Sequence, residues 1–300
     1  MFQIAYHPIY NHPVPENHRF PMEKYELLPK QLLLENVVEP SQFFEPKKVD
    51  VQTIELVHDV DYVNRYLSLN LTDKEIRLTG FKHTQQLIDR ERTLVQGTID
   101  AALFAFTDGI AFNIAGGTHH AFTNHGEGFC MLHDQAIAAK YLLKNNLASK
   151  ILFVDLDVHQ GNGTAEIFKN APRVFTFSIH GKTNYPFKKE ISTLDIALED
   201  GTDDALYLSL LENHLEQIIV DFNPDFIFYQ AGVDILETDK LGKVNCTLEG
   251  CKQRDYHVLS LAKKYKIPVQ CSMGGGYSPS LNVILKAHVN TFKVATELFI

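Results

Sequence analysis

The sequence predicts an α/β protein built on a mostly parallel sheet with helices on both faces. Three observations point there. Short apolar runs rich in β-branched and aromatic residues alternate with longer segments of helical period. Pro224 and Pro268 each sit just ahead of such a run, where a helix has stopped. Five of the runs are followed within a few residues by His, Asp, Gly or Tyr. That is the pattern expected where the carboxyl ends of parallel strands line up beside a ligand.

The strands are expected at 2–6, 53–57, 111–115, 151–154, 174–179, 226–229 and 269–273. The helices are expected at 22–35, 90–107, 134–145, 202–221, 248–265 and 282–298. Residues 181–201 have weak periodicity and read as a long loop of the kind that often covers a functional sheet edge. No internal repeat and no Pro/Gly/Ser linker divides the chain, so one domain over 1–300 is expected.

The 300 residues are 45 % apolar and 22 % charged, enough to bury a sizeable core. Lys and Arg number 28 against 37 Asp and Glu, a net charge of −9. This argues against a bulk basic footprint for nucleic acid and is compatible with cationic partners. Cys130, Cys246, Cys251 and Cys271 form no C-x-x-C pair, so a reduced, cytoplasmic setting is expected. The opening MFQIAYHPIY lacks the pattern of a secretory leader. No apolar run reaches the roughly 18 residues of a membrane span.

The residues after each strand carry the chemistry. Gly116-Gly117-Thr118-His119-His120 follows the run at 111–115, and Asp155-Leu156-Asp157-Val158-His159 follows 151–154. His180 and Gly181 follow 174–179, Asp234 follows 226–229, and Gly274-Gly275-Gly276-Tyr277 follows 269–273. In extended backbone a spacing of two puts Asp155, Asp157 and His159 on one face. Carboxylate and imidazole suit a divalent metal, with Asp234 as a third ligand and an open position for water. The bland alternative is an Asp capping a helix or forming a turn. A sharper rival is an aspartate-nucleophile phosphohydrolase, which would leave His159 and the two histidines unexplained. A histidine behind the Gly-Gly turn could shuttle protons near neutral pH if a partner set its tautomer. Asp155 and Asn162 are available for that. Tyr277 could donate to a developing oxyanion. The three glycines before it could equally be a plain turn or a phosphate cradle.

Taken together, these motifs resemble the zinc-dependent histone deacetylase superfamily. Gly116 to Ala121, Gly128-Phe129-Cys130, Val154 to His159, Phe177 to His180, Ala231 to Asp234 and Gly274 to Tyr277 occur in the family's order. His18 to Met22 and His58 to Tyr62 also look like family segments. The stretches His159 to Gly163 and Gly232 to Glu237 look most similar to the class IV branch and its bacterial relatives.

The resemblance implies the arginase/deacetylase fold with a roughly eight-stranded sheet. It implies removal of acetyl or longer acyl groups from the lysine side-chain amine. Asp157, His159 and Asp234 match the family's zinc ligands, although such a site could also accept iron(II). His120 matches the general base and acid, His119 its electrostatic neighbour paired with Asp155, and Tyr277 the carbonyl-polarising tyrosine. Asn162 stands where class I members carry Asp. Gly128, Phe129 and Gly275 match the substrate tunnel, with Tyr185 and Phe187 in its opposite wall. A structural potassium ion is implied at Asp155, Asp157, His159, Ser178 and Ile179. The implied partner is an acyl-lysine peptide or protein, or an acylated amine, on a monomer or small homo-oligomer. An acetylpolyamine hydrolase on the same fold and a non-catalytic acyl-lysine binder are the alternatives.

Overall fold

Eight strands form one sheet, and the computed structural model describes residues 1–16 and 18–300. They are β1 (Ile4–Ala5), β2 (Phe43–Phe44), β3 (Ile110–Asn113), β4 (Ile151–Asp155), β5 (Val174–Gly181), β6 (Leu194–Leu198), β7 (Phe226–Gln230) and β8 (Val269–Ser272). The sheet order is β2-β1-β3-β8-β7-β4-β5-β6, and every neighbouring pair is parallel. Every position of β3, β4, β7 and β8 is buried, as parallel strands covered on both faces must be.

The helices are α1 (Lys24–Leu34), α2 (Val51–Ile54), α3 (Val60–Leu67), α4 (Asp73–Thr79), α5 (Gln85–Asp108), α6 (Asp134–Lys144), α7 (Asn162–Phe168), α8 (Asp204–Phe222), α9 (Leu248–Tyr265) and α10 (Leu281–Phe299). Helix α5 packs on α6 and against β3 and β8, while α10 packs on α9 and α1, and α8 on α9. Several starts are set by local chemistry. The Thr84 and Thr247 hydroxyls accept from the third amide of α5 and α9, and Asp203 does the same for α8.

Three expectations are corrected. Residues 53–57 are not a strand. The Asp50 carboxylate accepts from Thr53 N–H at 2.8 Å and starts α2 there, a local cap that overrides β-branched composition. The supposed loop at 181–201 contains β6, an edge strand that pairs only with β5 and is partly exposed, so its apolar signal is weak. His180 and Gly181 lie inside β5 rather than beyond it. The other edge is the two-residue β2, too short for any periodicity.

Because all strands point the same way, their carboxyl ends share one edge. Asp155 stands in register with Ser178 on one side and Gln230 on the other, and Gln230 with Ser272. That edge carries the site.

Candidate active site

The segment after β3 is held by one buried carboxylate. Asp134, at the start of α6, accepts from the amides of Gly117 and Thr118 and from the hydroxyls of Thr118 and Thr98, at 2.6–3.1 Å. Gly117 has φ of +102°, and a side chain there would strike Gln230. Gln230 in turn donates to the Gly117 carbonyl at 2.9 Å. This cradle presents His119 and His120 as neighbours, their rings 4.1 Å apart.

The two histidines have opposite partners. His119 Nδ1 lies 2.8 Å from Asp155 Oδ2, and His120 Nδ1 lies 2.7 Å from Asn162 Oδ1. The Asn162 amide nitrogen donates to Glu127 at 2.5 Å, so its oxygen faces His120. An oxygen accepts, so His120 carries its proton on Nδ1 and leaves Nε2 as a base. Burial opposes charge on His119, but the carboxylates of Asp155 and Asp157 outweigh it and hold the imidazole at about 9. Burial and repulsion from His119 and His159 keep His120 well below the ordinary histidine value.

Asp157, His159 and Asp234 converge beside them, their ligating atoms all within 4.8 Å of one another. His159 Nδ1 is 3.0 Å from both Asp157 Oδ1 and Asp234 Oδ2. Backbone amides orient the carboxylates: Gly275 N–H donates to Asp157 at 2.8 Å, and Val158 N–H to Asp234 at 2.9 Å. A side chain at Gly275 would sit 2.0 Å from Asp234, so only glycine permits this approach. Burial disfavours charge on His159, yet hydrogen bonds and the charges of Asp157 and Asp234 raise it to about 10. Burial and the nearby Asp157 push Asp234 up to about 7. No Lys or Arg forms an ion pair with either carboxylate among the described residues. Two buried carboxylates with a field strong enough to hold a proton on imidazole make a donor set that fits a divalent cation.

The Tyr277 ring lies 6.0 Å from His159, on a side chain whose backbone amide is held by Asp239 at 2.6 Å. Burial and the negative field of Asp157 and Asp234 keep its phenol protonated. Phe129 stands 6.2 Å from Tyr277, ring to ring, and Tyr185 packs edge-on at 5.0 Å from His120. Gly128, Phe129, Tyr185 and Tyr277 line the approach to His120 and His159, while Phe187 is 90 % exposed at its rim. Ser178 and Ile179 are buried in β5, away from this approach.

Several contributors carry no recognisable local signal. Glu127 turns Asn162. Buried Lys24 donates to Gly274 O at 2.8 Å, bracing the glycine loop, and burial lowers its amine to about 8. Arg254, wholly buried in α9, donates to the carbonyls of Leu156 and Gly232 at 3.2 and 2.5 Å, tying both ligand-bearing segments together. Its other nitrogens bond Asp255, which also accepts from Tyr229 and Thr291. For Glu127 only its place in Gly126-Glu127-Gly128, beside the tunnel motif, was available as a hint.

A family profile described as the histone deacetylase domain matches residues 18–292. Histone deacetylase 2 of Arabidopsis thaliana is 30 % identical over 88 % of this chain and 70 % of its own length. Acetoin utilization protein AcuC of Staphylococcus aureus (strain COL) is 29 % identical over 92 % of this chain and 77 % of its own. A protein of Picosynechococcus described as uncharacterized is 44 % identical over 99 % of both chains. Among solved structures, an HDAC homologue complexed with SAHA superposes with a TM-score of 0.85 at 24 % identity, covering 99 % of this chain and 84 % of that one. An HDAC homologue from Aquifex aeolicus gives 0.83 at 24 %, covering 97 % and 82 %.

Proposed function

This chain belongs to the histone deacetylase family, and from that premise we propose that it is a zinc-dependent hydrolase of acyl groups on the lysine side-chain amine. The observation that carries the reading is the placement of a neutral base and a phenol around one donor set. The His120 and Tyr277 rings stand 6.1 and 6.0 Å from His159, whose Nδ1 meets both carboxylates.

Asp157, His159 and Asp234 would hold the zinc ion, and iron(II) suits the same donors. When bound, such an ion supplies a Lewis acid that acidifies water and polarises a carbonyl. His120 Nε2 removes the proton from the attacking water while Asn162 holds its tautomer. The charged His119, fixed by Asp155, keeps His120 from holding a proton before the reaction. Tyr277 donates its O–H to the carbonyl oxygen as negative charge develops there. His120, or its neighbour, then passes a proton to the nitrogen as the C–N bond breaks, releasing amine and carboxylate. Phe129 and Tyr185 flank the lysine stem and exclude water.

A small cavity of about 30 Å3 adjoins the donor set, lined by His119, His120, Asp157 and Tyr277 together with Tyr25, Arg90 and Cys130, and supports a small acyl group such as acetyl. A structural potassium ion at Asp155, Asp157, His159, Ser178 and Ile179 is part of this proposal, and the register of Asp155 with Ser178 supports it by bringing the two segments side by side. Four buried free cysteines support a reducing, cytoplasmic setting. Among the described residues no helix is long and apolar enough to cross a membrane.

The test is hydrolysis of lysine peptides carrying acetyl through myristoyl, with acetylated polyamines alongside, with and without chelator. Chelator-sensitive release of acetate from the acetyl-lysine peptide is expected. Chelator-insensitive hydrolysis, or turnover of polyamines alone, would refute it.

A further inference from the structure

The mouth of the site has the wrong charge for this protein. A groove of about 570 Å3 opens above His120, His159 and Tyr277. Among the described residues four cations line it, Arg19, Arg77, Lys240 and Lys243, and no Asp or Glu does. Yet the chain as a whole carries 37 acidic against 28 basic residues.

These cations are exposed and largely free. Arg19, Arg77 and Lys240 form no ion pair among the described residues. Lys243 has Asp200 at 3.7 Å, both half-exposed, and donates to Thr183 at 2.8 Å. Half-exposed Asp200 stands at the rim beside Lys243 and accepts from Thr183, whereas Asp239 and Glu127 are turned inward. Asp239 accepts from the backbone amides of Tyr277, Leu241 and Gly242, and Glu127 accepts from Asn162.

The cations also stand on both walls. Arg77 precedes Leu78 and Thr79, whose carbonyls accept from Gly128 and Phe129 at 3.0 Å. Arg19 follows His18, whose ring meets the Gly80 carbonyl at 2.9 Å, on the same side. Lys240 and Lys243 flank Leu241, whose carbonyl accepts from Asn184, next to Tyr185 on the opposite wall. A groove lined by one sign of charge concentrates ligands of the other sign.

We propose that this groove selects acyl-lysine held in an acidic segment of a protein, with carboxylates on both flanks of the modified lysine. A chain entering with its lysine stem between Phe129 and Tyr185 places its preceding and following residues against opposite walls. Each wall then offers two cations. The same field repels polyamines and lysine-rich tails. The inference rests on the deacylase reading for its substrate, but the groove's charge preference is measurable without turnover.

The test uses fluorescein-labelled acetyl-lysine peptides of equal length with acidic, neutral or basic flanks. Binding is read by anisotropy at low and high salt, and deacetylation is read in parallel. The acidic peptide is expected to bind about tenfold more tightly than the basic one at low salt, with the gap closing at high salt. The charge reversals Arg77→Glu and Lys240→Glu together leave two cations against two carboxylates and should abolish the order. Equal affinities across the three peptides, or an order unmoved by salt and by the reversals, would overturn the inference. Hydrolysis of the neutral peptide alongside charge-blind binding would remove this proposal and keep the deacylase. Ordered binding without hydrolysis of any peptide would keep the anion-selective groove and remove the deacylase.

Discussion

The Nδ1 nitrogen of His120 lies 2.7 Å from the amide oxygen of Asn162, and Glu127 turns that amide by accepting from its nitrogen. A neutral amide therefore stands where a carboxylate would raise the histidine's proton affinity. His120 is a base only when neutral, and its lowered pKa keeps it neutral into the acid range. Asn162→Asp adds a negative partner and should raise that pKa. The acid limb of the kcat/KM profile should then move to higher pH. An unmoved limb would separate Asn162 from the proton-transfer step.

Tyr277→Phe removes one hydroxyl donor near the donor set. It should lower kcat by about 10²–10³ and leave KM nearly unchanged, as loss of a single oxyanion donor does. A large rise in KM at constant kcat would assign Tyr277 to ground-state binding instead.

Metal affinity should increase with pH. His159, at about 10, and Asp234, at about 7, must release protons before they can ligate. Titration calorimetry in buffers of different ionisation enthalpy should show proton release that diminishes as pH rises through 7. Asp157→Ala should lose the metal, whereas His120→Ala should keep it and lose activity. Activity retained in Asp157→Ala would refute the ligand assignment.

Arg254 holds the Leu156 and Gly232 carbonyls from inside α9. Arg254→Met leaves Asp255 charged and buried without its cation, a loss of about 3–5 kcal/mol in unfolding free energy. Metal affinity should fall as well, because both ligand-bearing segments lose their tie. Urea unfolding and metal content report the two effects separately, and unchanged metal affinity would confine Arg254 to stability.

His58 makes the fold acid-sensitive. It is 2 % exposed, its Nδ1 donates to the Phe122 carbonyl, and its Nε2 accepts from His133 N–H at 2.9 Å, so the neutral ring is required. Burial lowers it to about 4. The unfolded chain binds the proton first, so this contribution is intact above about 6.5 and is lost as pH falls towards 4. The loss approaches about 3 kcal/mol. His58→Gln should flatten the unfolding free energy over that range, and an identical slope in both proteins would exclude His58 as the source.

The alternation of strands and helices was legible in the sequence because buried parallel strands and amphipathic helices each have a local period. Leu248–Tyr265 is an example of a helix whose ends were written locally, by Thr247 before it and Pro268 beyond. The residue types after β3, β4, β7 and β8 were legible for the same reason, since each cluster is contiguous. The edges were not. Phe43–Phe44 and Leu194–Leu198 each pair on one side only, and a short or half-exposed strand leaves little pattern.

Only the tertiary structure decided who faces whom. It brought Glu127 to Asn162, Arg254 to Leu156 and Gly232, and Lys24 to a glycine 250 positions away. It also gathered four cations around one opening of an acidic chain. Periodicity records what a residue does relative to its own backbone. Hydrogen-bond partners and electrostatic fields depend on distances through space, and those exist only once the sheet has brought distant segments together.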